Sequence, residues 1–599
     1  MSLKQTTTTC DCVKKDKAPM INCHTHIFTS ETVPPHIAKS FVPPPFYYLL
    51  NITVLVKLVQ WYFNSKKSPY RWPGQRWYIV LREMLYRAKI ATTRSHILGA
   101  IKFLVGVIII ISVFHEFYNI YISDYLHEQD ISTNTPDKII GWLDAHGILI
   151  ITNSWLLKGL LLVILLTFFP SGKNLLLFLL KKFSGFFKML PGKETTAMLK
   201  RYMNIVRFSR YKDQSRIFDR LIKQYPEGAG MVVLPMDMEF MGAGNPPKPY
   251  GKQMEELAAI KVKHPNRIFP FVFVDPRREK VGNETFFDYE VVEGKVVLKP
   301  CFIKTYIEDK EFSGFKIYPA LGYFPFDERL LPLWKYAADN GIPILTHCIR
   351  GTIFYRGKKK KEWDTHPVFE QYEGDQDNSK PVLDKYFKPL RLHHMRPVEV
   401  QEIFTHPMNY ACLLYKQWLT KLVAQAKDPR IQELFGYSPG DNTIEQDLKH
   451  LKLCFGHYGG EDEWLKFMEK DRDNYAQQLN TKKEGITIKD ENDKIKRGLA
   501  EQLWKKADWY SIISTLMLQH SNVYADISYI LHGTEDVIPL LRQTLRNDGL
   551  LKKVLYGTDF YVVRNHKSDK LMLADMMNGL SEAEFDLIAR DNPREFLKR

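Results

Sequence analysis

The sequence predicts an α/β protein, a (β/α)8 TIM barrel with a helical transmembrane insertion after its first strand. Three observations predict this fold. Eight short apolar segments alternate with helical patterns, as in parallel α/β proteins. Histidine and aspartate residues stand where several of these segments end, the position at which such barrels carry their functional side chains. Two long apolar stretches separate the first segment from the second.

The first predicted strand is the segment MINCHTHIF at residues 20–28. The other seven are residues 231–240, 267–276, 312–319, 342–351, 451–460, 522–529 and 554–562. Helical patterns between successive strands require crossover connections, and these make a sheet parallel. Eight such units are the number that closes a barrel of this type.

The chain of 599 residues divides into four predicted regions. Residues 1–19 form a polar tail that we expect to be disordered and that contains no apolar run of a secretory signal. Residues 20–30 hold the first strand, and residues 31–194 form a membrane-associated helical insertion. Residues 195–599 complete the barrel, with a second insertion at about 352–450.

Two segments within the first insertion are long enough to span a membrane. Residues 97–122 and 148–170 are almost wholly apolar, and a bilayer core of about 30 Å needs about 20 residues in a helix. Lys158 is costly there unless it faces protein or water. The segment 46–63 is interrupted by polar residues and is expected to be interfacial or buried, and the segment 175–180 is too short to span. The alternative is that both long segments are core helices of a soluble domain.

The charges around the two spans predict their orientation. The loop between them is acidic, and Lys138 is its only lysine or arginine, whereas both outer flanks are rich in basic residues. By the positive-inside rule both flanks lie in the cytoplasm. The sequence therefore predicts a multi-pass protein of the inner or plasma membrane with its barrel in the cytoplasm.

The net charge of +16, from 84 basic and 68 acidic residues, fits an anionic membrane surface, nucleic acid or a basic surface without a partner. No zinc-finger, helix-turn-helix or RNA-recognition signature is found, so we expect no nucleic-acid partner. The seven cysteines are scattered and odd in number, which indicates no disulfide framework and fits a reducing compartment. Nothing in the sequence indicates an oligomeric state.

Five residues of metal-ligand type fall at four predicted strand ends. His24 and His26 lie on the first strand, and residues two apart in a strand point to the same side. His347, His457 and Asp559 end the fifth, sixth and eighth strands. Imidazoles with a carboxylate suit one divalent transition metal, foremost Zn²⁺, with Fe²⁺, Mn²⁺ and Co²⁺ as alternatives. The pair at residues 24 and 26 is weak evidence alone, but the full pattern indicates a metal site.

The segments NCHTHIF, GFKIYP, ILTHCIRG, LCFGHYGG, ADISY and LYGTDF together resemble the amidohydrolase superfamily. The closest resemblance is to the amidohydrolase-related branch that includes aminocarboxymuconate-semialdehyde decarboxylase. It covers residues 20–28 and roughly 195–599, but not the membrane insertion. The resemblance implies a single metal held by His24, His26, His347 and Asp559. It also implies that His457 stands beside the bound water as acid or base, or that Asp559 is the base in a hydrolytic cycle.

Four further residues near the predicted strand ends are candidates for the site. In binuclear relatives a carboxylated lysine on the fourth strand bridges two metals, which is the alternative for Lys316. The setting FKIYP resembles the mononuclear branch, which implies an unmodified lysine that contacts substrate or is structural. Arg350 either clamps a substrate carboxylate or phosphate or forms an ion pair. Asp526 is expected to support the site or the fold. Tyr458 replaces the small residue usual in relatives, so we expect it to change the pocket wall.

The second insertion carries a run of four lysines and four histidines. The run Lys358–Lys361 is either a solvated loop or a contact for anionic headgroups. The histidines are His366, His393, His394 and His406. We interpret His406 as local structure, because THPMNYACLL at 405–414 resembles the start of a helix in relatives.

Three functions fit these predictions. The first is a membrane-anchored hydrolase that attacks a carboxylic ester, lactone or amide with metal-activated water. The second is a nonoxidative decarboxylase with the same residues. The third is an inactive membrane scaffold, which is disfavoured because no ligand position is vacant. The insertion follows the first strand, on the side of the predicted site, so we expect a small and amphiphilic substrate.

Overall fold

A computed structural model of the protein describes residues 17–41, 46–121, 134–147, parts of 157–178, and residues 193–374, 384–392, 397–469, 474–532, 537–560 and 567–598. It contains two compact units. The first consists of Met1–Gln60 and Ala197–Arg599, and the second of Trp61–Thr196. Most of the predicted disordered tail, residues 1–16, lies outside the described residues.

The first unit contains an eight-stranded parallel sheet in which each strand pairs with the next along the chain. Its strands are β1 (Ile21–Thr25), β2 (Gly230–Val233), β3 (Ile268–Phe273), β4 (Gly314–Lys316), β5 (Ile344–Leu345), β6 (Leu453–Phe455), β7 (Val523–Asp526) and β8 (Val554–Leu555). Every predicted strand segment contributes one of them, except that β2 begins one residue before its segment. The predicted strand order and parallel sense are confirmed.

Backbone hydrogen bonds join β1 to the residues around the end of β8. Cys23 N donates to Tyr556 O at 2.8 Å, Asp559 N to His24 O at 2.9 Å, and His26 N to Phe560 O at 3.1 Å. These bonds connect the first strand to the last and give the sheet the form of a barrel. They also bring Asp559 beside the histidines of β1.

Most strands are shorter than the apolar segments that predicted them. His347 lies two residues beyond β5 and His457 two residues beyond β6. The backbone of His457 has φ of 68° and that of Asp559 has φ of 57°, values that no strand residue adopts. His347, His457 and Asp559 therefore lie on the loops that leave the strands, whereas His24 lies within β1.

Helices follow several of the strands and cover the sheet. They are Tyr250–Lys263 after β2, Leu331–Asp339 after β4, Glu461–Glu469, Tyr475–Thr481, Leu499–Lys506 and Trp509–Gln519 after β6, Val537–Leu545 after β7, and Asp569–Gly579, Glu582–Asp586 and Asn592–Leu597 after β8. Helices Lys193–Phe208 and Gln214–Ile222 precede β2. Between β3 and β4 the chain instead forms two small hairpins, Lys280–Val281 with Glu284–Thr285 and Tyr289–Val292 with Lys295–Leu298, and the short helix Phe302–Lys304.

A compact set of apolar side chains from the strands forms a core of its own, apart from the larger core that packs against the helices. It includes Val232, Phe271, Leu345, Cys454 and Leu555. This set closes the barrel interior to water, so that the polar side chains of the strand ends stand above an apolar layer.

The predicted second insertion between β5 and β6 has its own secondary structure. It contains the hairpins Thr365–Tyr372 with Phe387–Arg391 and Tyr437–Ser438 with Thr443–Ile444, and the helices Pro397–Thr405, Met408–Leu414, Lys416–Gln425 and Pro429–Phe435. His406 stacks on Trp504 with ring centroids 4.0 Å apart, which agrees with a role in local structure. His393 and His394 lie outside the described residues.

The lysine run of this insertion is exposed and in part ion-paired. Lys359 lies 2.7 Å from a carboxylate oxygen of Asp364, and Lys360 lies 3.4 Å from one of Glu362. The run thus has the contacts expected of a solvated loop.

The second unit is helical where it is described, with helices Arg76–Arg94, His96–Tyr121 and Asn134–Ala145. Among the described residues, one helix is long and apolar enough to cross a membrane, over His96–His115. It coincides with the predicted span at 97–122. The predicted span at 148–170 lies for the most part outside the described residues, so the membrane hairpin stays a prediction.

The chain between β1 and the second unit packs with the barrel. Ile37 and Ile52 are fully buried there. The helix Ile52–Asn64, within the segment expected to be interfacial or buried, buries Ile52 and Val56 and exposes most of its other apolar side chains. The second unit therefore begins at Trp61, whereas the insertion was predicted to begin at residue 31.

Candidate metal centre

The two histidines of β1 each direct the same ring nitrogen toward Asp559. His24 Nδ1 donates to Asp526 Oδ2 at 2.8 Å, and His26 Nδ1 donates to Leu234 O at 2.8 Å. Because a carboxylate or carbonyl oxygen only accepts, each ring keeps the lone pair on Nε2. Asp559 Oδ1 lies 3.3 Å from His26 Nε2 and 3.9 Å from His24 Nε2. Both lone pairs thus face one carboxylate.

This arrangement fits a metal ion. The Nε2 lone pair of His26 and the Asp559 carboxylate oxygen are both acceptors, and two acceptors at 3.3 Å repel unless a cation or proton lies between them. His24 Nε2 is buried and has no hydrogen-bond partner among the described residues. Imidazole lone pairs and a carboxylate are the donor set that Zn²⁺ and its neighbours prefer.

His347 and His457 complete the group of five. His457 Nδ1 lies 2.9 Å from Ser528 Oγ and 3.3 Å from Ser528 O, so this nitrogen carries the hydrogen and donates to Ser528. His457 Nε2 then faces His347 Nδ1 at 3.0 Å. Tyr318 stacks on the His347 ring at 3.8 Å and holds its plane. The structure therefore brings all five predicted ligand-type residues together.

A compact group of three residues differs from the ligand set that the family resemblance implies. The ligand atoms of His24, His457 and Asp559 all lie within 4.8 Å of one another. The resemblance assigns His347 to the metal and His457 to acid or base chemistry. In this geometry His457 stands as close to the Asp559 carboxylate as a ligand does, and its Nε2 lies 3.0 Å from His347 Nδ1.

Asp526 and Ser528 hold the histidines in place. Asp526 accepts from His24 Nδ1, from His457 N at 3.1 Å, from Ser528 N at 3.0 Å and from the Ser528 hydroxyl. These contacts agree with the supporting role expected for Asp526. Ser528 was not singled out from the sequence, although it lies two residues after Asp526 at the end of β7. That spacing is the signal that would have found it.

Burial favours the neutral form of His24, His347 and His457. It lowers the pKa of His24 and His347 well below the ordinary value and that of His457 to about 3. Nearby Lys316 adds to each of these shifts. Neutral imidazole is the form that binds metals, so the pocket favours a ligand state over a charged state.

Lys316 and Arg350 have different surroundings. Lys316 is fully buried, donates from Nζ to Thr346 O at 3.0 Å, and has its pKa lowered by burial to about 8 despite Asp526 and Asp559. Arg350 is partly exposed and lies 2.9 Å from Glu402 and 3.7 Å from Glu463. Of the two roles expected for Arg350, the ion pair is the one that the structure contains, with Glu402 as the nearer partner.

Tyr458 does not have the contacts expected of a pocket wall. Its ring stacks on Tyr510 with centroids 5.2 Å apart, and its hydroxyl lies 2.9 Å from Ser514 Oγ. The reason is the backbone of Tyr458, whose φ of 42° directs the side chain toward the helix Trp509–Gln519. The expectation from the sequence is corrected accordingly.

No family model and no curated protein matches the chain. Several solved structures match it at low sequence identity. A 5-carboxyvanillate decarboxylase from Sphingomonas paucimobilis is 9% identical, with 66% of this chain and 85% of that chain covered and a TM-score of 0.32. A manganese-bound 5-carboxyvanillate decarboxylase from Novosphingobium aromaticivorans is 14% identical, with 69% and 87% covered and a TM-score of 0.32.

A zinc-bound amidohydrolase from Burkholderia multivorans is 8% identical, with 66% of this chain and 91% of that chain covered and a TM-score of 0.31. Likenesses this remote carry no argument about this chain. The barrel fold rests on the strand order and the closing hydrogen bonds described above.

Proposed function

We propose that the chain is a metal-dependent hydrolase of the amidohydrolase type, which attacks a carboxylic ester, lactone or amide with metal-activated water. The proposal rests on the Nε2 lone pairs of His24 and His26, which both face Asp559 in the pocket. His26 Nε2 lies 3.3 Å from Asp559, and the buried Nε2 of His24 beside it has no hydrogen-bond partner in the described part of the chain. Zn²⁺ is the metal we propose.

The residues divide into ligands and proton carriers. His24, His26, His347 and Asp559 would hold the metal, which when bound lowers the pKa of water and polarises a carbonyl. His457 donates from Nδ1 to Ser528, and its Nε2 lies 3.0 Å from His347 Nδ1, so Nε2 would be the atom that accepts or returns a proton. Asp559 is the alternative base. Asp526 orients the ring of His24 through Nδ1.

Metal content tests this proposal directly. Purified full-length protein should contain about one transition metal per chain, and His26→Ala should lose most of it, because removing a ligand weakens binding. His450→Ala, which removes an exposed histidine far along the chain, is the matched control and should keep its metal. A wild-type protein without stoichiometric metal would contradict the proposal and favour the inactive scaffold.

The alternative reaction is nonoxidative decarboxylation by the same residues. A panel of esters, lactones, amides and aromatic or unsaturated carboxylic acids, assayed for both acid release and carbon dioxide, separates the two. Hydrolysis without carbon dioxide supports our proposal. Carbon dioxide release from the acids, with no hydrolysis, would replace it with the decarboxylase.

We also propose that the second unit attaches the protein to a bilayer, in the inner or plasma membrane, with the barrel in the cytoplasm. The support is the exposed apolar surface of the helix His96–Tyr121. Before it, the helix Arg76–Arg94 exposes apolar residues and carries five basic residues against Glu83. Exposed Trp72 and Trp77 have the amphipathic rings that favour a headgroup region. A small amphiphilic molecule is the substrate class we propose for such a protein.

Fractionation of expressing cells tests the attachment. The full chain should sediment with membranes and remain there after washing with carbonate and with high salt, because a spanning helix is not held by charge. Release by salt alone would reduce the attachment to a surface contact. Recovery in the soluble fraction without any wash would contradict the proposal.

A further inference from the structure

A second buried polar feature lies outside the metal centre, around Arg356. This side chain is 2% exposed, and its guanidinium packs against the rings of Phe41 and Phe354, 4.5 and 3.6 Å from their centroids. Nη2 donates to Thr352 O at 2.5 Å, whereas Nε and Nη1 have no hydrogen-bond partner among the described residues. Two donor nitrogens of the buried guanidinium thus make no hydrogen bond in the described part of the chain.

Burying a charged group without a partner is costly, and proteins pair such groups with an opposite charge. No carboxylate of the described chain lies within 4 Å of the Arg356 guanidinium. Burial lowers the pKa of Arg356 to about 9. The site therefore lacks the anion that would offset the burial of the guanidinium.

A second guanidinium reaches the same loop. Arg201, on the helix Lys193–Phe208, donates from Nε to Thr352 Oγ1 at 3.2 Å. Thr352 thus accepts from Arg356 through its carbonyl and from Arg201 through its hydroxyl. Unlike Arg350, which pairs with Glu402, Arg201 has no carboxylate within 4 Å in the described residues.

The loop that both arginines contact lies beside the candidate metal centre. A Cβ at Gly351, the residue before Thr352, would lie 3.8 Å from His347 Nε2 and 3.8 Å from the Tyr318 hydroxyl oxygen. Tyr318 is the ring that stacks on His347 at 3.8 Å. The loop of Thr352 thus adjoins the histidines of the candidate metal centre.

We propose that Arg356 and Arg201 form a subsite for an anionic group of the substrate, a carboxylate or a phosphate. Guanidinium groups bind both anions through paired N–H donors, and Arg356 has Nε and one Nη free for such a pair. That the bound molecule is a substrate rests on the proposed function. Anion binding itself does not.

Calorimetric titration of the full-length protein tests the subsite. Inorganic phosphate and benzoate are the probes, and each is titrated into protein that has been treated with a chelator, so that direct ligation of a metal does not contribute. We expect binding of at least one probe, weakened at least about tenfold in Arg356→Gln and in Arg201→Gln. The tighter probe identifies the anion class. Arg329→Gln, which removes an exposed arginine beside Asp327, should bind as the wild type does.

The melting temperature without anion separates a binding role from a structural one. Arg356→Gln removes a buried unpaired charge, so its melting temperature should equal or exceed that of the wild type. A marked fall would assign Arg356 to the fold instead. If Arg356→Gln does not fold, Arg356 is assigned to the fold, and the comparison of anion binding by the wild type and by Arg201→Gln still tests whether the anion binds here.

Failure of the subsite is distinguishable from failure of the metal centre. Absence of binding in the wild type at millimolar probe, or unchanged binding in both arginine variants, overturns the subsite whatever the metal content. Metal analysis of the same preparations before chelation reports on the proposed function alone. Anion binding by a protein that purifies without metal would leave the subsite standing and remove the hydrolase.

Discussion

Hydrogen-bond partners at single residues decide what the pocket can bind. His26 donates to a backbone carbonyl and His24 to Asp526, and each bond turns the opposite nitrogen toward Asp559. A different partner on Nδ1 would place a hydrogen where the lone pair now points. The ligand character of the pair therefore depends on Leu234 and Asp526 as much as on the histidines themselves.

Gly456 is a second residue on which the pocket depends. A Cβ there would lie closer to Thr346 O than real Cβ atoms approach and 3.1 Å from the His24 ring. We expect Gly456→Ala to lower the free energy of unfolding by about 1–3 kcal/mol and to reduce metal content, since the clash moves His24. Thermal melting and elemental analysis measure the two effects.

The control for this substitution is Gly440→Ala. A Cβ at Gly440 has no atom within 4 Å, so that variant should melt and bind metal as the wild type does. Wild-type metal content in Gly456→Ala would show that His24 tolerates the displacement and would weaken its assignment as a ligand.

At the level of elements, the helix Trp509–Gln519 connects the fold to the site. It begins at Asp508, which accepts from Ser511 N at 2.6 Å and from Ser511 Oγ at 2.8 Å. Its residues Tyr510 and Ser514 receive the side chain of Tyr458, the neighbour of His457. A shift of this helix would therefore also move the loop that carries His457, because Tyr458 packs against the helix.

We expect Asp508→Ala to destabilise the barrel by about 0.5–2 kcal/mol, because the first turn of the helix loses its capping acceptor. Asp508→Asn keeps an oxygen for Ser511 N and should lose less than half as much. The melting temperatures of the two variants and the wild type make the comparison. Equal losses in both variants would mean that the charge of Asp508, not the cap, stabilises the helix.

Across the whole molecule, buried histidines couple stability to pH. Burial lowers the pKa of His366 to about 3 and that of His520 to about 4, from an ordinary 6.5. Between pH 6.5 and these folded-state pKa values, the unfolded chain binds protons on the two histidines and the folded chain does not. Their contribution to stability is therefore complete above about pH 6.5 and is lost as the pH falls toward the folded values.

We expect the melting temperature to fall between pH 7 and pH 5, and the fall to be smaller in His366→Gln. One such proton corresponds to about 1.4 kcal/mol per pH unit. His450→Gln, at an exposed position, is the control and should keep the wild-type pH dependence. An identical pH dependence in His366→Gln and the wild type would contradict the assignment.

Local sequence patterns predicted much of this protein's architecture. The apolar segments predicted all eight strands and their order, because a buried parallel strand needs a short, continuous apolar run. The five ligand-type residues were predictable for the same reason, since parallel strands place their carboxyl ends at one edge. The ends of the strands were less predictable. β6 and β8 end two and four residues before His457 and Asp559, and the positive φ of these two residues leaves no mark in the sequence.

The sequence by itself predicted the barrel, the five residues of the candidate metal centre and an apolar helix over His96–Tyr121. Only the tertiary structure decided which nitrogen each histidine presents, that Arg350 is paired with Glu402, and that Tyr458 packs against a helix. It also brought Arg356 and Arg201 to one threonine. The physical reason is that apolar periodicity is a local property of the chain, whereas hydrogen-bond partners and uncompensated charges depend on residues tens to hundreds of positions apart.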